Sequence, residues 1–382
     1  QPLPESPLAN LQAFTDVLAR GAAAELPKVS HSMDDIALLQ YTGGTTGVAK
    51  GAVLTQGNLF ASSLQSAALV ENQPNRELDD VLVAPMPLYH VYGFTVNVVS
   101  VFLDGGLSVL IPDPRNPDSI IEAFKRYNVT SMAGVNTLFT ALLRHPEFDS
   151  LDFSHLKGVI AGGAALVEEI AEEWQRRTGM EIFEGYGLSE TASALSCNGH
   201  GADRQLGTVG KPMVAQEVKV VDSNGQRLPA GQEGELLVRG PQVMQGYWQR
   251  PEATAEAIDD EGWFRTGDIA IIQPDGFIRI VDRLKDMILV SGFNVYPNEI
   301  ENVLYSHPDV VECAVVGVPD KKSGEAVKAY VVSSNAELSA EALTAFCREQ
   351  LTGYKIPRAI EFRDELPKSN VGKILRRELR GQ

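Results

Sequence analysis

The fold is decided by the stretch Tyr41-Thr-Gly-Gly-Thr-Thr-Gly-Val-Ala-Lys50-Gly51, which directly follows the short apolar run Ile36–Gln40. Its glycines let backbone N–H groups approach an oxyanion, and hydroxyl side chains and one lysine surround them. This composition suits a bound polyphosphate. The stretch is not a Walker A loop, because Ala49 and Gly51 stand where that motif needs glycine and serine or threonine. The structural alternative is a flexible Gly/Thr turn.

Short apolar runs alternate with helix-length amphipathic stretches on both sides of this loop. Repeated alternation of this kind predicts a largely parallel sheet covered by helices on both faces. Asp118 is the expected N-cap of one helix and Gly179 the residue that ends another. The predicted buried strands are Ile36–Gln40, Val81–Ala84, Ser108–Ile111, Val129–Ala133, Gly158–Ala161 and Glu181–Phe183, and the helices lie near 56–70, 93–103, 118–127, 136–144 and 166–178.

The pattern changes after about residue 200. Short strands punctuated by turn signals such as Ser223-Asn-Gly predict a small β-rich, barrel-like subdomain. The remainder mixes helices and strands and predicts a compact α+β domain. We therefore expect an α/β protein with a large domain at 1–283, divided into an α/β nucleotide-binding subdomain at 36–195 and a β-rich subdomain at 200–282, followed by a mobile domain at 284–382.

Composition excludes several classes of protein. With 33 basic and 50 acidic residues the net charge is −17, whereas a nucleic-acid-binding protein needs a basic surface. No apolar run reaches the roughly 18–20 residues of a membrane-spanning helix. The cysteines, Cys197, Cys313 and Cys347, are few and widely spaced, which is typical of reduced thiols in a cytoplasmic protein. Because the chain starts at Gln1 rather than methionine, we expect it to be processed, cut or part of a longer protein.

Several separate motifs, in order, resemble the adenylate-forming enzymes, which include acyl-CoA synthetases, peptide-synthetase adenylation domains and firefly luciferase. The resemblance runs from about Asp35 to Arg380 and is strongest to bacterial long-chain fatty acyl-CoA ligases. The runs that carry the resemblance to these ligases are Pro85–His90, Gly134–Phe139, Gln242–Pro251 and Asp286–Pro297. Members of this family have a further large region before the phosphate loop, so the resemblance implies that this chain lacks its N-terminal region.

The resemblance implies an ATP site and a magnesium ligand. Tyr186 would lie on the adenine face, Asp268 and Arg283 would bind the ribose, and Glu190 would hold Mg²⁺. Taken singly, Tyr186 is more often a core tyrosine, Glu190 more often a helix-terminal glutamate, and Asp268 and Arg283 more often ordinary surface charges. The full set of ATP-binding residues that the resemblance implies is Thr42, Gly43, Gly44, Thr45, Thr46, Gly47, Lys50, Gly162, Gly163, Ala164, Glu184, Gly185, Tyr186, Gly187, Asp268 and Arg283.

The resemblance also implies catalytic and moving parts. Lys373 would reach the α-phosphate, and His90 would line the acyl site, although a lone histidine beside aromatic residues is usually a core residue. Lys285 falls at the hinge about which the last domain of family members rotates. The loop that would then enter for the thioester step is Ser291, Gly292, Phe293 and Asn294.

The expected activity is that of an ATP-dependent long-chain fatty acid–CoA ligase, which acts through an acyl-adenylate with Mg²⁺, ATP and coenzyme A. The alternatives are a ligase for medium-chain or aromatic acids and a catalytically incompetent nucleotide-binding fragment of such an enzyme. We expect fatty acid, ATP and CoA as partners, no nucleic acid, and a cytoplasmic location. A homodimer and transient or peripheral contact with the inner membrane are left open.

Overall fold

The computed structural model describes residues 11–42, 49–70, 80–199, 204–369 and 374–380. Helix α1 (Phe14–Ala22) precedes an antiparallel hairpin of β1 (Ile36–Thr42) and β2 (Lys50–Thr55). The prediction of a buried strand at Ile36–Gln40 was wrong about burial, because β1 pairs only with β2 in a separate two-stranded sheet and Ile36 is 49% exposed. The buried strand of this hairpin is β2.

The central element is a seven-stranded sheet in the order β4-β3-β5-β6-β7-β8-β9. The first five strands are parallel, and the last two run antiparallel to their neighbours, which confirms the expected, mostly parallel sheet. The strands are β3 (Val81–Ala84), β4 (Leu107–Leu110), β5 (Ser131–Gly134), β6 (Gly158–Gly162), β7 (Ile182–Leu188), β8 (Ser193–Cys197) and β9 (Lys211–Pro212).

Helices pack on this sheet over a core that includes the adjoining rings of Phe139, Phe148 and Trp174. Helices α2 (Gln56–Val70) and α3 (Val91–Phe94) contribute Leu59 and Val91 to a second core, and Val101 of α4 (Val101–Asp104) packs with Leu82 and Ala84 of β3. The helices that form the core around Trp174 are α5 (Asp118–Arg126), α6 (Asn136–Leu143) and α7 (Glu168–Thr178). A π-helix at Thr95–Ser100 joins α3 to α4, and 3₁₀ turns lie at Phe148–Ser150 and Ser189–Thr191.

The two predicted helix ends differ in outcome. Gly179 ends α7 with a φ of 75°, the left-handed conformation that glycine adopts without strain. The Asp118 prediction was wrong by one residue: the cap position falls on Pro117, and Asp118 is the first residue of α5. The N–H of Asp118 donates to Asn116 Oδ1 at 3.0 Å, so a preceding asparagine satisfies this donor.

The β-rich region is a four-stranded antiparallel sheet of β10 (Glu217–Val221), β11 (Glu233–Arg239), β12 (Phe264–Ile272) and β13 (Ile278–Arg283), with α8 (Pro251–Ala257) between β11 and β12. Its apolar face joins a core shared with β2 and β8. The sheet therefore packs against the end of the central sheet rather than standing alone.

The last part of the chain has its own core, which includes Val315, Ala329 and Leu343. This separate core favours the predicted domain boundary near Arg283, where β13 ends. Its elements are β14 (Ile288–Val290), β15 (Phe293–Val295), α9 (Pro297–Tyr305), β16 (Val310–Asp320), β17 (Gly324–Ser333), α10 (Ala340–Gln350), a 3₁₀ turn at Gly353–Lys355, β18 (Ala359–Phe362) and α11 (Arg376–Leu379).

Strand β7 exchanges its pairing partner along its length. Residues Ile182–Gly185 pair in parallel with β6, and residues Gly185–Leu188 pair antiparallel with β8. The two backbones of the second half approach so closely that a Cβ at Gly187 would lie 1.6 Å from the carbonyl oxygen of Ser193. Glycine at this position is therefore a packing requirement of the strand exchange.

We predict that Gly187→Ala destabilises the large domain by about 3 kcal/mol, because the added methyl group must displace backbone atoms. Urea unfolding followed by tryptophan fluorescence measures this loss. The matched control is Gly158→Ala in β6, where a Cβ would meet its nearest atom at 3.8 Å, an ordinary contact. Equal stabilities of the two variants would contradict the packing argument.

Candidate active site

A large cleft of about 3140 Å³ runs past the carboxyl ends of β6 and β7 and along β12 and β13. In open α/β sheets, ligands bind at the carboxyl ends of parallel strands, so this is the expected place for a nucleotide. Residues of the last domain border the same cleft, among them Asn294 and Ser369. The cleft therefore lies between two parts of the chain with separate cores.

The loop after β6 forms one wall of the cleft with Gly162, Gly163 and Ala164. Gly163 has a φ of 81°, and a Cβ there would meet no atom within 4 Å, so the backbone faces open space. The carboxylate of Glu184 accepts a hydrogen bond at 2.9 Å from the N–H of Leu166, just beyond this loop. Burial raises the pKa of Glu184 to about 7. The hydrogen bond from Leu166 to Glu184 holds the chain just after the loop in place. Direct binding of ATP by Glu184 stays a prediction.

Tyr186, Asp268 and Arg283 are brought together from three strands. The Tyr186 hydroxyl donates to Asp268 Oδ2 at 2.5 Å, and Arg283 Nε lies 3.2 Å from Asp268 Oδ1. Asp268 and Arg283 also face each other in the register of β12 and β13. Burial, followed by the Asp268 charge, raises the pKa of Tyr186. A neutral aromatic ring thus stands beside a carboxylate and a guanidinium at the cleft.

The Gly185-Tyr186-Gly187 motif lies inside β7, which continues beyond the end of the strand predicted at Glu181–Phe183. The physical reason is the partner exchange of β7, which keeps the motif hydrogen-bonded to β8 after the parallel pairing has ended. The motif still borders the cleft, because β7 reaches beyond the end of β6 there.

Glu190 lies in the 3₁₀ turn between β7 and β8 and is 9% exposed. The Tyr247 hydroxyl donates to Glu190 Oε1 at 2.8 Å, and Lys50 Nζ lies 5.0 Å from the centroid of the Tyr247 ring. Burial and the Glu190 charge raise the pKa of Tyr247. Sequence reasoning missed Tyr247, although it lies within the Gln242–Pro251 run that carried the family resemblance.

The described residues contain no group of three or more histidine, cysteine, aspartate or glutamate side chains placed to hold a metal ion. A Mg²⁺ site does not need one, because this ion is usually held by one or two carboxylates together with substrate phosphates and waters. Glu190 offers a carboxylate at the cleft, so the residues present fit Mg²⁺ delivered with a nucleotide.

The two ends of the predicted phosphate loop, Thr42 and Lys50, are held by the β1–β2 hairpin. Thr42 and Lys50 are paired in register, and the Thr42 hydroxyl lies 3.4 Å from the carbonyl oxygen of Lys50. Both residues border the cleft. The predicted phosphate-binding residues Gly43, Gly44, Thr45, Thr46 and Gly47 lie outside the described residues.

His90 borders the cleft and also caps a helix. Its Nδ1 accepts a hydrogen bond at 3.2 Å from the N–H of Tyr92, in the first turn of α3. Tyr92 in turn donates to the carbonyl oxygen of Ile160 at 2.9 Å, and its ring lies against Gly162. His90 thus has a structural contact next to β6, and its place in the acyl site stays a prediction.

Of the predicted hinge and thioester loop, Lys285 and Asn294 border the cleft, whereas Ser291, Gly292 and Phe293 are not part of its lining. Burial followed by the Arg283 charge lowers the pKa of Lys285. Ser291 and Gly292, with φ of 52° and 86°, form the tight turn between β14 and β15, and Phe293 stacks on Tyr354 at 4.8 Å. Lys373 lies outside the described residues, and its described neighbours Ser369 and Ile374 border the cleft.

Two family models match the chain: the AMP-binding enzyme model over residues 4–248 and the AMP-binding enzyme C-terminal domain model over residues 299–373. The chain is 50% identical over its full length to a long-chain-fatty-acid–CoA ligase of Escherichia coli O6:H1 and spans 67% of that relative. It is 39% identical over 93% of its length to a feruloyl-CoA synthase of an Amycolatopsis species, of which it spans 72%.

Solved structures agree with these matches. The crystal structure of ATP-bound MatB from Rhodopseudomonas palustris has a TM-score of 0.87 and 34% identity, with 95% of this chain and 72% of that chain covered. A MenE structure from Bacillus subtilis, an o-succinylbenzoate coenzyme A synthetase in complex with ATP and a magnesium ion, has a TM-score of 0.81 and 32% identity, covering 93% and 72%. With its cleft at the carboxyl ends of β6 and β7 and family models matched on both sides of Arg283, the chain belongs to the AMP-binding enzymes.

Proposed function

We propose that this protein is an ATP-dependent long-chain fatty acid–CoA ligase, which converts fatty acid, ATP and CoA to acyl-CoA, AMP and diphosphate. The observation that carries the proposal is the contact of Tyr186, Asp268 and Arg283 at the cleft, where β7 of the central sheet meets β12 and β13. A carboxylate accepts hydrogen bonds from a ribose diol, and a tyrosine ring can stack on a purine. The relatives named above support the choice of reaction.

In the first step, the carboxylate of the acid attacks the α-phosphorus of ATP, and diphosphate leaves. Tyr186 and the Gly162–Ala164 loop enclose the adenine, and Asp268 with Arg283 binds the ribose. The phosphate loop from Thr42 to Lys50 receives the phosphates. Lys373 would place its ammonium on the α-phosphate, where a preorganised positive charge stabilises the developing negative charge.

In the second step, the CoA thiol attacks the acyl carbonyl and AMP leaves. Lys285 is the proposed pivot that absorbs the change in backbone angles between the steps. The Ser291–Asn294 turn would then replace the Lys373 segment at the acyl-adenylate. In the orientation seen here Asn294 borders the cleft. Ser369 and Ile374, the described residues on either side of Lys373, also border it.

Glu190 is the proposed protein ligand of Mg²⁺, which neutralises phosphate charge when it is bound with ATP. The hydrogen bond from Tyr247 fixes the orientation of the Glu190 carboxylate, since Tyr247 is itself placed by its contact with Lys50. Tyr247 is therefore proposed as a residue that positions the ligand.

The acid is proposed to be a long-chain fatty acid, as in the name of the relative from Escherichia coli. The relative named feruloyl-CoA synthase favours an aromatic acid as the alternative substrate. Among the described residues, no helix has the length and apolar character to cross a membrane. The cytoplasmic location, the homodimer and the inner-membrane contact stay predictions.

We predict that the full-length protein forms acyl-CoA from palmitate with a kcat/KM at least about tenfold above that for octanoate, because added methylenes contribute binding in an apolar site. AMP release measured with palmitate, octanoate and ferulate tests this, with CoA omitted as the control for turnover. Preference for ferulate would favour the aromatic alternative, and no AMP release with any acid would contradict the proposed reaction.

We predict that Lys373→Ala lowers acyl-adenylate formation by roughly 10²–10³-fold, the effect of losing one preorganised electrostatic contact. Thioester formation from supplied acyl-adenylate should be largely retained. The matched control is Lys368→Ala on the same segment, because Lys368 is paired with Glu312. Equal losses in both half-reactions of Lys373→Ala, or the same loss in Lys368→Ala, would contradict the assignment.

A further inference from the structure

The first helix of the last domain is capped by the large domain. Helix α9 begins at Pro297, and its cap residue Tyr296 makes no side-chain capping bond. Pro297 has no N–H, so Asn298 carries the first free donor of the helix. That N–H donates at 2.8 Å to Asp282 Oδ2, and Asp282 belongs to β13 of the large domain. A carboxylate across the predicted boundary thus serves as the missing cap.

Asn298 binds the large domain a second time and also holds an arginine. Its side-chain nitrogen donates to the carbonyl oxygen of Val281 at 3.2 Å, and its Oδ1 accepts from Arg376 Nη2 at 2.5 Å. Arg376 Nη1 lies 3.5 Å from Asp282 Oδ1. Asp282, Asn298 and Arg376 therefore form a closed set of contacts, here named the interdomain latch.

Further contacts hold the two arms of the latch. Arg376 also pairs with Glu301 of α9 and with Asp286, just beyond Lys285, so its position is fixed within the last domain. Asp282 is fully buried and accepts from the N–H of Arg283 at 2.7 Å. Tyr296 donates to Glu233 of β11 beside the latch. Within the latch, Asp282 lies one residue before the proposed ribose ligand Arg283 and three residues before the proposed pivot Lys285.

In the orientation seen here, Ser369 and Ile374, the described residues on either side of Lys373, border the cleft, whereas Ser291, Gly292 and Phe293 are not part of its lining. We infer that the interdomain latch of Asp282, Asn298 and Arg376 holds the last domain in this orientation, which suits acyl-adenylate formation, and must open before the thioester step. This inference rests on the proposed two-step function. Rotation about Lys285 carries Asn298 and Arg376 away while Asp282 stays paired in β13. The rotation leaves the buried Asp282 carboxylate without its contacts to Asn298 and Arg376, and it removes the cap of α9. Both losses cost free energy and therefore oppose the rotation.

The first test measures orientation without any substrate. Exposed Ser154 and Glu341, one on each domain, are changed to cysteine and labelled for distance measurement by fluorescence transfer. Singly labelled protein controls for labelling of the half-buried Cys197. We expect Asp282→Asn, and independently Asn298→Ala, to shift the ratio of the two domain orientations by at least about fivefold, a typical strength of coupling between sites.

The control variant is Asp320→Asn, because the described partners of Asp320, which include Ser323 and Arg358, all lie within the last domain. It should leave the distance distribution unchanged. Asp282→Asn combined with Arg376→Gln should shift the ratio little beyond the single variants, since the two residues act through each other. If both Asp282→Asn and Asn298→Ala show the same distance distribution as the labelled protein with an unchanged latch, the inferred role of the latch is wrong, whatever reaction the protein catalyses.

The second test separates the latch from the ATP site in the full-length protein. Acyl-adenylate formation by Asp282→Asn should fall at least about fivefold relative to thioester formation from supplied acyl-adenylate. Thermal stabilisation by ATP should be retained, because Arg283 and Asp268 are unchanged. Two outcomes would assign Asp282 to nucleotide binding alone. In the first, Asp282→Asn lowers the rates of both half-reactions by the same factor. In the second, it abolishes the thermal stabilisation by ATP and leaves the distance distribution unchanged. Absence of both half-reactions in the parent would contradict the proposed function and leave the distance test valid.

Discussion

The buried carboxylate of Asp268 joins the adjacent strands β12 and β13 to β7, whose Tyr186 lies 82 residues away in sequence. Its two oxygens bind Tyr186 of β7 and Arg283 of β13, and Asp268 itself is 3% exposed. A buried charge is costly unless it is paired and hydrogen-bonded. The central sheet and the β-rich sheet are therefore constrained to meet where these partners reach Asp268. The cleft follows from this meeting, because it opens beside the same residues.

Local pattern was sufficient to predict most strands of the central sheet. The prediction of a buried strand at Ser108–Ile111 was wrong about burial, because β4 lies at the edge of the sheet and its Leu107 and Leu110 are exposed. The strand at Val81–Ala84 and the helix at 56–70 have the predicted bounds, because a buried apolar run and an amphipathic period are properties of the segment alone. Pairing partners are not such a property. The β1 strand reads like a buried parallel strand yet pairs only in a hairpin, and β7 continues through Gly185–Leu188 because β8 replaces β6 as its partner.

The same distinction applies to the site. Tyr186, Glu190, Asp268 and Arg283 could be chosen from motifs, and the structure brings Tyr186, Asp268 and Arg283 into direct contact. Tyr247 could not be found from spacing, since its partner Glu190 is far away in sequence and no local pattern marks a tyrosine as a hydrogen-bond donor. The role of Asp282 could not be predicted from the sequence for a similar reason, because Asp282 caps a helix that begins beyond the domain boundary.

The central claim, that Asp268 binds the ribose of an adenine nucleotide, is tested most directly by comparing two ligands. Calorimetric titration gives the affinities of AMP and of 2′,3′-dideoxy-AMP, which lacks both hydroxyl groups. A hydrogen bond to a charged group contributes about 1.5–3 kcal/mol, so AMP should bind at least about tenfold more tightly. The difference should disappear in Asp268→Ala. Equal affinities of the two ligands for the unmodified protein would contradict the account.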